Sequence, residues 1–200
     1  DIKRVLAYST MSQLAYIFTG LGAALWLAGE GHEEIALVAF GASLFHLFNH
    51  AMAKGMLFMA SGSVIHEMHH AEHKLETHDH LDPQDMTNMG GLASKMPVTA
   101  VAMAVGSMSI IGIPLIGGFW SQEGIIAKSW DAAMHDGGAV MLVSAVFILL
   151  TAGMTGFYMS RMWFMTFAGE PKTNVAGHVH EQTPWIKFPL LLLTFMTLAG

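Results

Sequence analysis

Long apolar runs alternate along this chain with short polar ones. The runs cover about 5–28, 35–65, 97–111, 111–130 and 138–167, and a sixth opens at Pro184. About 20 apolar residues cross the hydrocarbon core as a helix, and no stretch shows the period of two that a half-buried strand requires. The pattern predicts an all-α polytopic membrane protein with about six transmembrane helices, one of them broken. The break falls in IGIPLIGGFWSQEGIIAKSW, residues 111–130, where Pro114, Gly117 and Gly118 interrupt the backbone hydrogen bonds of an otherwise apolar segment. Backbone freed at membrane depth must be satisfied by protein or by a water-lined cavity.

The polar stretches read as connections. GEGHEE, residues 29–34, is an acidic loop, and the His-rich segment 66–96 is a surface loop with a helical start. Ser94 followed by Pro97 signals a helix opening, as does Thr183 before Pro184. Within the apolar runs, Ser9, Ser12, Gln13 and Tyr16 line one helix face, and Ser144, Thr151, Thr155 and Tyr158 another. Such stripes bond neighbouring helices or waters. Six alternating passes place Lys3, Arg4, Lys74, Lys95 and Lys128 on one side and Arg161, Lys172 and Lys187 on the other, a tilt too weak to orient the chain. Arg161 has an ordinary reading as a snorkelling side chain near a helix end. The chain starts at Asp1 without an initiator Met and stops at Gly200 inside LLLLTFMTLAG, so both ends read as cuts.

Composition agrees with the pattern. Apolar residues make up 53%, charged residues 12%, and the mean hydropathy is +0.47. Cysteine is absent, which excludes disulfides and thiolate-ligated iron–sulfur clusters in this chain. A net charge of −6 argues against nucleic acid as a partner. Seventeen Met suit adaptable packing between helices.

The candidate chemistry lies in HLFNHAMAKGMLF, residues 46–58. His46, His50 and Lys54 stand four positions apart, so a helix carries all three on one face, about 6 Å apart along its axis. An ionisable residue so deep in an apolar run is a functional hypothesis, because hydrocarbon penalises an unpaired charge. Imidazole both accepts and releases protons near neutrality. A desolvated amine unloads its proton more readily than one in water, and an approaching carboxylate reverses that tendency. The row reads as part of a proton pathway, with waters or rotamer swings closing its gaps. Glu123, just past the helix break, is the candidate acid of that pathway, since half-helix ends in ion-coupled transporters face the transported charge.

Two other chemistries fit less well. His66-Glu67-Met68-His69-His70 satisfies H-E-x-x-H, the zinc-binding pattern of metalloproteases, but at a point where an apolar helix runs out into a His-rich loop. Haem needs axial ligands from opposite faces, and His46 and His50 share one helix.

Four ordered motifs, DIKRVLAYSTMSQLAY, HLFNHAMAKGMLFMASGSVIHEMHH, MGGLASKMP and IPLIGGFWSQEGII, resemble the antiporter-like membrane subunits of respiratory complex I, the subunit L type above all. The resemblance runs from Asp1 to about Arg161. It implies a parent of about fourteen to sixteen helices built from two inverted five-helix repeats. Residues 1–168 would form the second repeat and 169–200 a loop with the start of a further helix. Lys54 matches the proton-carrying lysine of a half-channel, and His46 and His50 match its histidine relay. Where the family carries Lys-Asp at the broken helix, this chain reads Gln122-Glu123; Glu123 matches the acid, but Gln122 cannot hold a proton. Glu123 or Lys128 is the expected substitute at the outlet. The resemblance further implies no cofactor in this chain, with flavin, iron–sulfur clusters and quinone in or with other membrane and peripheral subunits. It places the protein in a lipid bilayer, as an integral protein of a prokaryotic cell membrane. The same subunit type serves multi-subunit sodium/proton antiporters, which is the alternative reading.

Overall fold

The structure, a computed structural model, describes residues 1–75, 81–134, 138–181 and 184–199. Its helices are α1 (Ile2–Gly29), α2 (Glu33–Lys74), α3 (Pro97–Ile111), α4 (Gly117–Met134), α5 (Gly138–Phe167), the single turn α6 (Asn174–Gly177) and α7 (Pro184–Ala199). The described residues contain no strand. By length and composition α1, α2 and α5 can each cross a membrane, and α3 and α7 are shorter apolar helices.

Side-chain pairings give the direction of each helix. Lys54 meets Leu6, His46 meets Gln13 and Ser43 meets Gly20, so α1 runs antiparallel to α2. On another side of α2, Ser63 meets Thr99, Leu57 meets Gly106, Asn49 meets Gly117, His46 meets Ser121 and Ala42 meets Gly124. Helices α3 and α4 therefore succeed each other along α2 as two halves of one pass. Helix α5 returns along both halves, with Trp163 on Ala100, Gly156 on Ile111 and Ile148 on Ile125. Helix α7 lies against α2 and α3; its Leu190 joins their core, and Thr194 reaches the sulfur of Met56 at 3.2 Å. The six longer helices thus make five passes.

That topology changes the charge distribution. Lys3, Arg4, Lys74, Lys95, Arg161, Lys172 and Lys187 gather at or near one end, where six alternating passes would have divided them. The opposite end carries Glu30, Glu33, Glu34, Asp131 and, of the cations, Lys128.

Helix α2 continues through the His-rich segment to Lys74, at 42 residues well beyond bilayer thickness. Residues 66–74 hold no Gly or Pro to stop it, Glu33 and Glu34 suit its first turn, and His73 and Lys74 its last. Pro97 occupies the first position of α3 as its sequence predicts, but the cap comes from far along the chain. Glu181 accepts from Thr99 N–H at 2.9 Å, Thr99 Oγ1 at 2.6 Å and Val98 N–H at 3.3 Å, filling the role the sequence suggested for Ser94. Thr183, the other expected cap, lies outside the described residues.

The MGGL motif has a steric explanation. Gly90 and Gly91 have φ of 113° and 64°. Their N–H groups donate to the Thr166 and Ala168 carbonyls at the end of α5. A Cβ on Gly91 would lie 2.9 Å from the Gly169 carbonyl oxygen, so a side chain there would push the loop off the helix end. Nearby, Asp85 accepts the Thr87 N–H at 2.8 Å, a bond that holds its carboxyl below the ordinary range.

The candidate proton pathway

Three helices meet around the row on α2. His46 is buried; its Nε2 lies 2.9 Å from Gln13 Oε1 on α1 and its Nδ1 3.0 Å from Ser121 Oγ on α4. With Gln13 Oε1 as acceptor, the neutral ring carries its proton on Nε2 and accepts at Nδ1. Ser121 also lies 3.1 Å from the Gly118 carbonyl. Its hydroxyl can therefore donate to His46 when the ring is neutral and turn to Gly118 when Nδ1 takes a second proton. That rotation lets the site accept a proton without a bond left broken.

The row does not itself form a hydrogen-bonded wire. The His46 and His50 rings are stacked with centroids 6.3 Å apart, and His50 Nε2 is buried without a hydrogen-bond partner. Lys54 is 5% exposed and donates from Nζ to the Leu6 carbonyl at 2.9 Å. Leu6 lies five residues, roughly 8 Å of helix rise, from Asp1. Among the described residues the ion pairs are Arg4–Asp1 and Lys128–Asp131, so no carboxylate faces Lys54 within ion-pair distance. Buried polar atoms of this kind call for bridging water.

The break opposite the row is a well-formed helix stop. Gly112 adopts φ 82°, its N–H donates to Met108 and Ser109, and Ile113 N–H reaches back to Met108 at 3.0 Å, the six-to-one bond of a Schellman ending. Leu115, with φ 76°, is the one non-glycine at positive φ among the described residues and marks a strained turn. Asn49 then fixes the restart, donating to the Gly117 carbonyl at 2.9 Å. Gly118 permits the contact between the halves, since a Cβ there would overlap the Ser109 carbonyl oxygen.

Gln122 is 3% exposed and packs over Gly112, where an added Cβ would sit 2.7 Å from its Oε1. It adjoins the Tyr16 hydroxyl, whose own proton goes to the Ile148 carbonyl at 2.6 Å. Neither polar atom of the Gln122 carboxamide makes a hydrogen bond of normal geometry. Glu123 is exposed and shares with Gln122 a cleft of ≈ 170 Å³ lined also by Gly112, Phe119 and Ala152. Lys128 stands apart, paired with Asp131 at 2.7 Å. The structure thus joins His46 to both flanking helices and Gln122 to Glu123 in one cleft, and leaves Lys128 engaged elsewhere.

Sequence reasoning did not identify Asn49, Ser121 or Asp131, and gave Gln13 no partner. A polar residue inside HLFNH and a serine at the restart of a broken helix were the available signals. The zinc reading loses its footing: His66 and His70 face outward, and among the described residues no group of three His, Asp or Glu is placed to hold a metal.

A helical bundle crossed by one broken pass, with a buried amine and two imidazoles beside the break, defines an antiporter-like membrane protein. Residues 1–155 match the family described as NADH:quinone oxidoreductase/Mrp antiporter, TM, and the chain belongs to that family. It is 39% identical, over 99% of its length, to NAD(P)H-quinone oxidoreductase subunit 5 from the chloroplast of Chaetosphaeridium globosum, of which it covers 27%. It is 37% identical, over its whole length, to F(420)H(2) dehydrogenase subunit L of Methanosarcina mazei, again covering 27%. The chain spans about a quarter of the length of these curated relatives. Its fold resembles a chain of the Mrp complex from Dietzia, with a TM-score of 0.61 at 20% identity over 97% of this chain and 44% of that one.

Proposed function

We propose that this chain forms a proton-conducting half-channel in the membrane arm of a redox-driven pump, with electron transfer in partner subunits. The supporting observation is the Lys54 ammonium, buried and held by a single helix carbonyl, in register with two buried imidazoles. His46 exchanges protons between α1 and α4 through its two hydrogen bonds. His50 and Lys54 extend the route along α2 through water, and the proton leaves past the break by Glu123, with Gln122 orienting water in the shared cleft. Residues 1–168 act as the second five-helix repeat, and 169–200 lead into a further helix. Flavin, iron–sulfur clusters and quinone belong to the partner chains.

Orientation follows from charge. The end that gathers seven of the lysines and arginines faces the cytoplasm of a prokaryotic cell membrane under the positive-inside rule. The absence of cysteine from this chain suits a check by thiol labelling of single cysteines introduced at each end.

The decisive experiment is Lys54→Ala in the full-length subunit, assembled with its partners in proteoliposomes. Electron transfer in the presence of an uncoupler should persist, while proton translocation falls about tenfold. Unchanged translocation would reject the role. Sodium-coupled exchange without any electron donor would favour the antiporter reading instead.

A further inference from the structure

A second polar cluster lies beside the row and has no part in the pathway described so far. Tyr158 of α5 donates its hydroxyl proton to Ser9 Oγ of α1 at 2.9 Å, and lies 3.3 Å from both Ser12 Oγ and Thr155 Oγ1. Ser9, Ser12 and Tyr158 line an open groove of ≈ 430 Å³ along α1 that also takes in Asp1 and Arg4 at the cation-rich end. Arg4 is largely exposed there and paired with Asp1.

The helix register sets Ser9 at the level of the row. Lys54 meets Leu6 and His46 meets Gln13, so Ser9 stands level with His50 between them. His50 Nε2 is one of the buried atoms without a partner, and Gln13 Nε2 is another. Turning the Gln13 amide over would only exchange which of its atoms is stranded. His50 Nε2, orphaned at the level of the buried Ser9, and the Gln13 amide one turn further along α1 mark a place for water.

We propose that this groove is the port through which protons enter the row, by way of Tyr158 and Ser9 to His50. The inference rests on the proton-channel reading above. Each hydroxyl gives its proton to the next acceptor and takes one from the side of the groove, so no net charge forms on Tyr158 or Ser9. The imidazole of His50 gains the proton that entered, and rotation of the hydroxyls restores the chain. The two serine and tyrosine stripes on α1 and α5 thereby gain a shared purpose beyond packing.

Two measurements on the full-length subunit in its assembled complex test this. Tyr158→Phe keeps the ring and removes the relay, and should lower proton translocation about tenfold with uncoupled electron transfer intact. Ser12→Cys should react with a small membrane-impermeant thiol reagent added on the cation-rich side, and reaction should slow translocation. If Tyr158→Phe translocates normally while Lys54→Ala does not, the port is wrong and the channel stands. If both translocate normally, the channel reading fails as well. If Tyr158→Phe does not assemble, labelling of Ser12→Cys decides: a cysteine unreactive from that side overturns the port.

Discussion

The row on α2 and the break between α3 and α4 face each other, but they are built on opposite plans. At the row, His46 is bonded at both nitrogens, and Asn49 ties down the neighbouring half-helix. At the break, Gln122 is equally buried and makes no regular hydrogen bond, while Glu123 faces outward. Positioning by neighbours holds the His46 ring in place; an unpaired amide beside a carboxylate leaves room for water. A proton route needs both, a fixed station and a hydrated exit.

The contrast can be broken from either side. Filling the contact at Gly118 should have the largest effect. Gly118→Leu drives a side chain into the Ser109 carbonyl and parts the half-helices, at a cost of about 3 kcal/mol; a lowered unfolding midpoint in detergent, or failed assembly, would show it. Next comes His46→Ala, which strands the Gln13 amide and leaves Ser121 only its Gly118 and Asn49 partners, and should cost about 2 kcal/mol. Translocation should drop with it, and His46→Gln should restore stability without restoring translocation. Gln122→Lys puts an amine into the cleft beside Glu123 and should keep translocation within about twofold of the parent; severe loss would count against this cleft as the outlet. The smallest effect belongs to Leu115→Gly, which relieves a positive φ at an exposed site and should raise stability by about 1 kcal/mol.

Much of this arrangement was legible in the sequence because membrane helices announce themselves by length and apolarity. The four-residue spacing of His46, His50 and Lys54 fixed their shared face, and Pro114 with Gly117 and Gly118 located the break. What the sequence could not supply was pairing across the bundle. Gln13 and Ser121 are ordinary polar residues until two other helices bring them to one imidazole. The cap on α3 is supplied by Glu181, more than eighty residues away, which no local pattern encodes. The number of passes was equally hidden. Whether a helix break turns the chain back or lets it continue depends on what each half packs against, and α2 serves both halves here. Lys128, expected as a substitute at the outlet for standing one turn beyond Glu123, is paired instead with Asp131 three residues along the same helix.

Proton transfer along the proposed route depends on a wet connection between groups that do not touch. An electron cryomicroscopy map of the assembled complex, sharp enough to place water, examines it directly. Ordered waters are expected at His50 Nε2 and the Gln13 amide, continuing to the Lys54 ammonium on one side and the Gln122–Glu123 cleft on the other. A dry, close-packed gap around His50, with Lys54 sealed among apolar side chains, would contradict it.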